Sequence, residues 1–297
     1  MFPLPSEKPS LADEPLVQMH AKDNFYQSVS FFPMTFACIT TINERGTTSI
    51  GPHSLIFPFD ISESHSMMLI SRASSNTATN LRRVGKCALN FIEFNKDWLK
   101  AVVDLGYPGQ TPEEKMKDVP FELMKSPNPD FRDDADFPLI MKDAFQIFEC
   151  VVDGTFNYEP KRKAAAPLIE SFFSLKIESV LMKKSFKQKL DNRNEFPNMP
   201  ISYGFRGGSE FWFTRHGTPF YFPVPRDKGP DHASILYKAN KLDPAVRFTE
   251  DACKALTGVP KAFIDVVLDG IVEEAKKRSV SMVDTDFVDT VNEERQS

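Results

Sequence analysis

Between Phe32 and Ile92 the chain keeps switching from short apolar or β-branched runs to turn residues, and this rhythm leaves room for only one short helix. Phe32-Pro-Met-Thr-Phe-Ala-Cys-Ile-Thr-Thr-Ile42 has the residue types of a strand, and Asn43-Glu-Arg-Gly46 supplies turn chemistry. Thr47-Thr-Ser-Ile-Gly51 then resumes an extended run, so the spacing predicts a β-hairpin with a four-residue loop. Ser66–Ser71 predicts a third strand, Thr79–Val84 a short helix ended by Gly85, and Lys86–Ile92 a return to strand. Further strands are expected at Ala144–Val152, Phe172–Met182, Ile201–Arg206 and Glu210–Arg215. Short strands joined by turns, with few helices among them, predict a barrel, because closing a sheet removes its exposed edges.

The rest of the chain fits around that block. Residues from about 95 to 140 are polar and punctuated by proline, which predicts a helical and loop excursion over the surface. Residues 1–27 read as an N-terminal arm, 28–228 as the barrel, and 229–297 as a linker and a small helical domain. In that last segment Thr249 can cap a helix closed by Thr257-Gly258, and Pro260 opens a longer one. Ile264, Val267, Leu268, Ile271 and Ala275 share one face of it, and Asp284 or Thr285 caps a final helix. The expected fold is predominantly β (α+β), with surface helices on the barrel and a helical C-terminal domain.

At 297 residues and 41% hydrophobic content the chain can bury a full core without disulfide staples. Its 27 phenylalanines agree with a strand-rich interior. A net charge of −5 argues against a polyanion-binding surface, so no nucleic-acid partner is expected. The basic run Lys183–Arg193 reads as a solvated face or as a contact for a phosphorylated ligand. Cys38, Cys87, Cys150 and Cys253 lie far apart with no CxxC pair and no histidine at ligand spacing, so neither a metal site nor a disulfide framework is expected. They read as buried or reactive free thiols. The N-terminus has prolines and acids where a signal peptide has a basic start, and nowhere do eighteen apolar residues follow one another, which predicts a cytoplasmic protein without a membrane span.

None of the common catalytic signatures occurs: no G-x-S-x-G, H-E-x-x-H, Walker loop, or G-x-G-x-x-G after a strand. Two polar segments remain. Ser71, Arg72, Ser74, Ser75, Asn76, Thr77 and Thr79 set hydroxyls and a guanidinium at a strand-to-helix junction, where free N–H groups and the helix dipole favour an anion. The same residues also suit ordinary helix capping. Gly51-Pro-His-Ser-Leu-Ile-Phe57 has proline and small polar residues that can hold the backbone open toward the edge of a planar ring.

In their order and spacing these segments carry a resemblance. Pro33–Gly46, Gly51-Pro-His-Ser54, Asn76-Thr-Ala-Thr-Asn-Leu-Arg-Arg83 and Cys87-Ala-Leu-Asn-Phe91 together look like the flavin reductase-like family with the FMN-binding split barrel, over roughly residues 28 to 220. The resemblance implies FMN as cofactor, with Pro52, His53, Ser54, Leu55, Ile56 and Phe57 along its isoalloxazine. It places Ser71, Arg72, Ser74, Ser75, Thr77 and Asn80 around its phosphate, with Arg72 or Arg83 as the main cation. It also implies a homodimer in which a partner subunit closes the pocket. His53, inside the ring segment, is the one candidate for a catalytic role.

The implied activity is a flavin-dependent oxidoreductase taking electrons from a donor such as NADH or NADPH. The alternatives are an FMN-binding electron carrier or sensor that docks a protein, and a flavoenzyme acting directly on a small organic substrate. Two departures bear on this. Ser75-Asn76-Thr77 stands where many relatives carry lysine, aspartate and threonine, and no Gly-Asp-His triplet precedes Phe172, although many members that reduce free flavin have one. Phe248–Pro260 with the helix that follows also resembles the small helical domain of a light-independent protochlorophyllide reductase subunit.

Overall fold

The computed structural model describes residues 15–21, 25–62, 64–107, 109–158, 169–192, 196–206, 210–220, 222 and 231–296. Most of the expected N-terminal arm, the loop at 223–230 and Arg193 of the basic run lie outside them. The chain divides into two compact units, Met1–Pro219 and Phe220–Ser297.

In the first unit α1 (Phe25–Ser28) precedes β1 (Ala37–Ile42) and β2 (Thr48–His53), which form the expected hairpin. The loop is Asn43–Thr47, one residue longer than predicted, because Asn43 Oδ1 accepts from both Arg45 N and Thr47 N at 3.0 Å. β3 (Ile56–Pro58) and β4 (Ser66–Arg72) follow, then α2 (Asn76–Val84) and β5 (Lys86–Phe91). The excursion holds α3 (Lys96–Gly106), α4 (Pro112–Met116), β6 (Leu123–Met124), α5 (Pro129–Arg132) and β7 (Ile140–Met141). After it come β8 (Gln146–Val152), β9 (Glu170–Met182), α6 (Lys184–Asn192), β10 (Pro200–Arg206) and β11 (Glu210–Arg215).

Seven strands form one antiparallel sheet in the order β2-β1-β5-β8-β9-β4-β3. Laid flat, its six inter-strand spacings of about 4.8 Å would hold β2 and β3 almost 30 Å apart. Only Ser54 and Leu55 join His53 to Ile56, a span of at most about 11 Å, so the sheet has to curl until its edges nearly meet. Proline cannot donate to a strand ladder and is confined to edges. Pro52 lies in β2 and Pro58 in β3, which are the two edge strands of this sheet.

Alternation along the strands fills the curl. Ala37 and Ile39 of β1, Cys87, Leu89 and Phe91 of β5, and Phe173 and Leu175 of β9 share one core with Leu81 of α2. The opposite faces of β1 and β5 are not solvated: Cys38, Ala88 and Ile92 pack with Leu99, Val102 and Leu105 of α3 and with Phe121, Phe137 and Met141. The excursion therefore covers the barrel with a second core instead of crossing an open surface. Buried Asn90 fastens it, donating to Cys38 O at 2.9 Å and accepting from Met141 N at 2.9 Å. Buried Glu149 does the same from β8, accepting from Ser126 Oγ and, at 3.0 Å, from Asn128 Nδ2.

In the second unit α7 (His232–Leu242), α8 (Glu250–Ala255), α9 (Lys261–Lys277) and α10 (Thr285–Gln296) pack around a parallel pair, β12 (Arg247–Phe248) and β13 (Met282–Val283). Thr249 caps α8 by accepting from Ala252 N at 3.2 Å, and Asp284 caps α10 through Phe287 N at 2.9 Å. Ile264, Leu268, Ile271 and Ala275 are buried in this unit's core, with Val267 packed partly against it. Among the described residues no helix is long and apolar enough to cross a membrane.

Candidate functional site

The site begins where β4 hands over to α2. Ser75, in extended conformation, accepts from Ala78 N at 3.0 Å and so caps α2, and its hydroxyl shares a hydrogen bond of 2.7 Å with Ser71. At the far end Gly85 adopts φ 74° and returns its N–H to Leu81 O, closing the helix. The helix starts at Asn76, three residues before the expected Thr79, because Ser75 is the cap in use.

β2 passes directly over the first turn of α2. A Cβ on Gly51 would stand 2.2 Å from Thr77 Oγ1, so only glycine permits this approach. The close pass brings the backbone of Gly51–His53 beside the N-terminus of the helix. Among the described residues β2 pairs with β1 alone, so the outward groups of this edge, the N–H and C=O of Ile50 and the C=O of Pro52, have no strand partner.

Between these elements lies a cavity of about 330 Å³. It is lined by Gly51, Pro52 and His53 of β2, by Arg72, Ser74, Ser75 and Thr77, and by Leu105, Gln110 and Lys115 of the excursion. Among the described residues two cations border it and no carboxylate does. Arg72 is exposed at the end of β4, and its guanidinium makes no hydrogen bond among the described residues. Lys115 donates to Leu105 O at 2.8 Å and to Tyr107 O at 2.5 Å, which leaves its third N–H unused by the described residues. Partial burial pulls its ammonium below the usual lysine range. A capping box holds it in place: Thr111 N donates to Glu114 Oε2 at 2.8 Å while Glu114 N donates to Thr111 Oγ1 at 3.2 Å.

A second cavity of about 130 Å³ shares Pro52, His53 and Gly106 with the first. Its other walls are Phe36, Val102, Val103, Phe211 and Phe213, with Ser54 and Ser202 as polar tips. His53 thus stands between a cationic and an apolar space. Burial pushes its imidazole down to about 4, so it is neutral at pH 7, and neither ring nitrogen has a partner among the described residues.

Of the residues singled out in the sequence, Pro52, His53, Arg72, Ser74, Ser75 and Thr77 meet at the larger cavity, and Ser54 faces the smaller one. The others lie elsewhere. Leu55 O accepts from Ile70 N at 2.9 Å within the β3–β4 region, Ile56 is buried in the barrel core, and Phe57 is exposed on β3. Ser71 is buried beneath Ser75. Asn80 is buried and donates to Thr41 Oγ1 at 3.0 Å, tying α2 to the hairpin. Arg83 stands about 12 Å along the axis from the cap, where it donates to Ile42 O at 2.5 Å. The guanidinium at the cavity is therefore Arg72.

Sequence reasoning missed Lys115 and Gln110. The Thr111–Glu114 spacing is a capping-box signature that locates α4, but no local pattern shows where the following lysine is delivered. The four cysteines are buried and free, and burial pushes Cys38 up to about 12 and Cys253 to about 11, which makes them packing residues.

No protein-family model matches the chain, and no curated protein matches it. Solved structures do. Nitrilotriacetate monooxygenase component B from Bacillus cereus superposes with a TM-score of 0.52 at 10% identity, over 70% of this chain and 100% of that one. Flavoredoxin from Methanosarcina acetivorans gives 0.50 at 14% identity, over 72% and 98%. A protein from Shewanella frigidimarina described as a flavin reductase with a split barrel domain gives 0.50 at 13%, over 70% and 100%. What these likenesses show is the fold: the chain has the split barrel of flavin reductase-like proteins, with surface helices on it.

Proposed function

We propose that the first unit binds FMN at the seam of its barrel and serves a flavin-dependent oxidoreductase reaction. The observation that carries this reading is the convergence on one cavity of an open strand edge at Ile50–His53, a helix N-terminus at Asn76–Thr77, and two cations, with no carboxylate among the described residues of its lining. A phosphate is favoured where N–H groups and dipole point outward, and Arg72 and Lys115 are placed to neutralise it, with Ser74, Ser75 and Thr77 beside them. The edge of β2 turns Ile50 N–H and the Pro52 carbonyl outward toward the rim of a planar ring, and Pro52 and His53 border the larger cavity.

The fit is also one of size, since sites for such ligands run from about 300 Å³ upward and the larger cavity has about 330 Å³. Bound FMN would supply the electron transfer, taking electrons from a donor such as NADH or NADPH and passing them to an acceptor. The chain's own part is to hold the phosphate, orient the ring and keep water from its inner face. A second copy of the chain closing the pocket completes the proposal.

Purified protein tests it. A yellow preparation, or a colourless one whose unfolding midpoint rises with added FMN, is expected, because a ligand of the native state stabilises by mass action. Protein that is colourless and does not respond to FMN would sink the reading. Anaerobic mixing of the FMN-loaded protein with NADH and NADPH then asks for the donor: bleaching supports a nicotinamide-driven reductase, and its absence with both removes that activity. A second reading, direct action on an organic molecule, draws support from the apolar cavity beside His53.

A further inference from the structure

The smaller cavity has three properties that together specify an occupant. Its volume is about 130 Å³, close to the roughly 150 Å³ of an apolar protein cavity that takes up benzene, so it has room for one ring and not for a fused system. Its walls are aromatic and aliphatic: Phe36 and Phe213 meet at 5.8 Å between ring centroids and 56° between planes, and Phe211 and Phe213 at 4.8 Å and 42°. Tilted faces of this kind accept a further ring edge-on. No charged side chain lines it.

The polar tips are as informative. A half-buried imidazole with both nitrogens unpartnered is the kind of group a folded protein rarely leaves without use. His53 carries one N–H and one lone pair in its neutral form. Ser202 is buried and its Oγ accepts from Gly204 N at 3.3 Å, which commits a lone pair and leaves the hydroxyl proton for something else. Two donors on an otherwise apolar wall match a single oxygen substituent. An anionic one would have to be buried without a countercharge.

We propose that this cavity binds an uncharged monocyclic compound carrying one oxygen acceptor, ring against Phe36, Phe211, Phe213 and Val103, and oxygen toward His53 and Ser202. As a substrate pocket it rests on the flavin reading; as a binding site it does not.

The full chain, with and without saturating FMN, is titrated by ligand-observed NMR with acetophenone and phenol, and with benzoate and 2-acetylnaphthalene as counterparts. Acetophenone and phenol are expected to bind both forms, and benzoate and the naphthalene at least tenfold more weakly. Val103→Phe fills the cavity and should abolish ring binding while leaving the unfolding midpoint and any FMN affinity in place, since Val103 does not line the larger cavity. His53→Phe should weaken acetophenone about fivefold, the worth of one hydrogen bond, and leave benzene unaffected. Failure of every ring to bind, benzoate binding as tightly as acetophenone, or displacement of the rings by FMN would each overturn the proposal. Ring binding by a protein that ignores FMN would uphold the cavity and reject the flavin.

Discussion

The contact between Gly51 and Thr77 sets how closely β2 passes the start of α2, and a double-mutant cycle across it measures that constraint. Gly51 has an ordinary extended backbone, so alanine there is not strained in itself, and a less flexible unfolded chain would favour it by about 0.4–1 kcal/mol. Against this stands a Cβ at 2.2 Å from Thr77 Oγ1. Thr77 is buried and β-branched on a helix, so it cannot swing clear cheaply. Forcing an atom into such a contact costs about 1–3 kcal/mol, and Gly51→Ala should therefore destabilise by about 1–2 kcal/mol net. The next atoms out are His53 Nε2 at 3.3 Å, the end of a side chain that has to give by only a few tenths of an ångström, and Thr77 Cβ at 3.6 Å, an ordinary contact. Thr77→Ala removes only the offending oxygen and methyl, so the double variant should be no less stable than Thr77→Ala alone, a coupling of about 1–3 kcal/mol. Both tryptophans, Trp98 and Trp212, belong to the first unit, so their emission during urea unfolding follows that unit alone. Strictly additive effects, within about 0.5 kcal/mol, would refute the close approach and with it the geometry of the cavity.

Arg72→Ala and Lys115→Met should each weaken FMN far more than riboflavin, with the FMN loss shrinking at high salt; equal losses for the two ligands, read by fluorescence titration, would remove these cations from the phosphate. Because the folded imidazole of His53 sits near 4, below the usual histidine range, the unfolded chain takes up that proton first. Its contribution to stability is thus complete above about pH 6.5 and is lost as pH falls toward 4; His53→Phe should flatten the urea midpoint over that window, and an unchanged slope would contradict the burial. Ser75→Ala should cost about 1 kcal/mol as a lost cap and weaken FMN as well, since the same residue lines the cavity. Glu149→Leu leaves Ser126 Oγ and Asn128 Nδ2 without their acceptor. A loss of about 1–3 kcal/mol is expected, and no change on urea unfolding would mean the excursion is held elsewhere.

How far the sequence reached can be argued element by element. β5 is legible as an apolar run after the helix-closing Gly85, and β1, β4, β8 and β9 as runs of apolar, aromatic and β-branched residues. β3 is not, because Ile56-Phe-Pro58 is too short for a strand pattern to show. The excursion was read as surface because its composition is polar, yet Leu99, Val102 and Leu105 recur at helical spacing and signal the buried face of α3. At the site, residues adjacent in sequence to the open edge or to the cap were found. Asn80 and Arg83 were drawn in only because they continue the same motif, and the turn of the helix carries them away from the ligand end. Lys115 is brought in by tertiary packing alone.

The barrel's incomplete closure explains why the site lies at Gly51–Ser54 and not at some other polar turn. A fully closed sheet has no free edge, and its backbone groups are consumed by their neighbours. Here the two edge strands are consecutive in the chain and each carries a proline, so neither can complete a ladder with the other along its length. The seam is left with unpaired backbone, a short linker, and the end of β4 with its helix cap close by. Hydrophobic residues that would cover it come instead from α3 and β11, which wall off the apolar side, while α4 supplies the cation on the polar side. The same strand edge therefore separates charge from aromatic surface, with neutral His53 at the divide. That division gives a phosphorylated cofactor the charged side and leaves the aromatic side to a separate apolar ligand, and it requires no acid–base motif in the sequence, because the reactive group would be the cofactor's own. Amide exchange provides the check: the outward N–H of Ile50 on the β2 edge and the first-turn N–H groups of Asn76 and Thr77 should exchange readily in the ligand-free protein and become protected with FMN, while those of β1 and β5 change little. Protection there before FMN is added would mean the edge is already paired, and the site would have to be sought elsewhere.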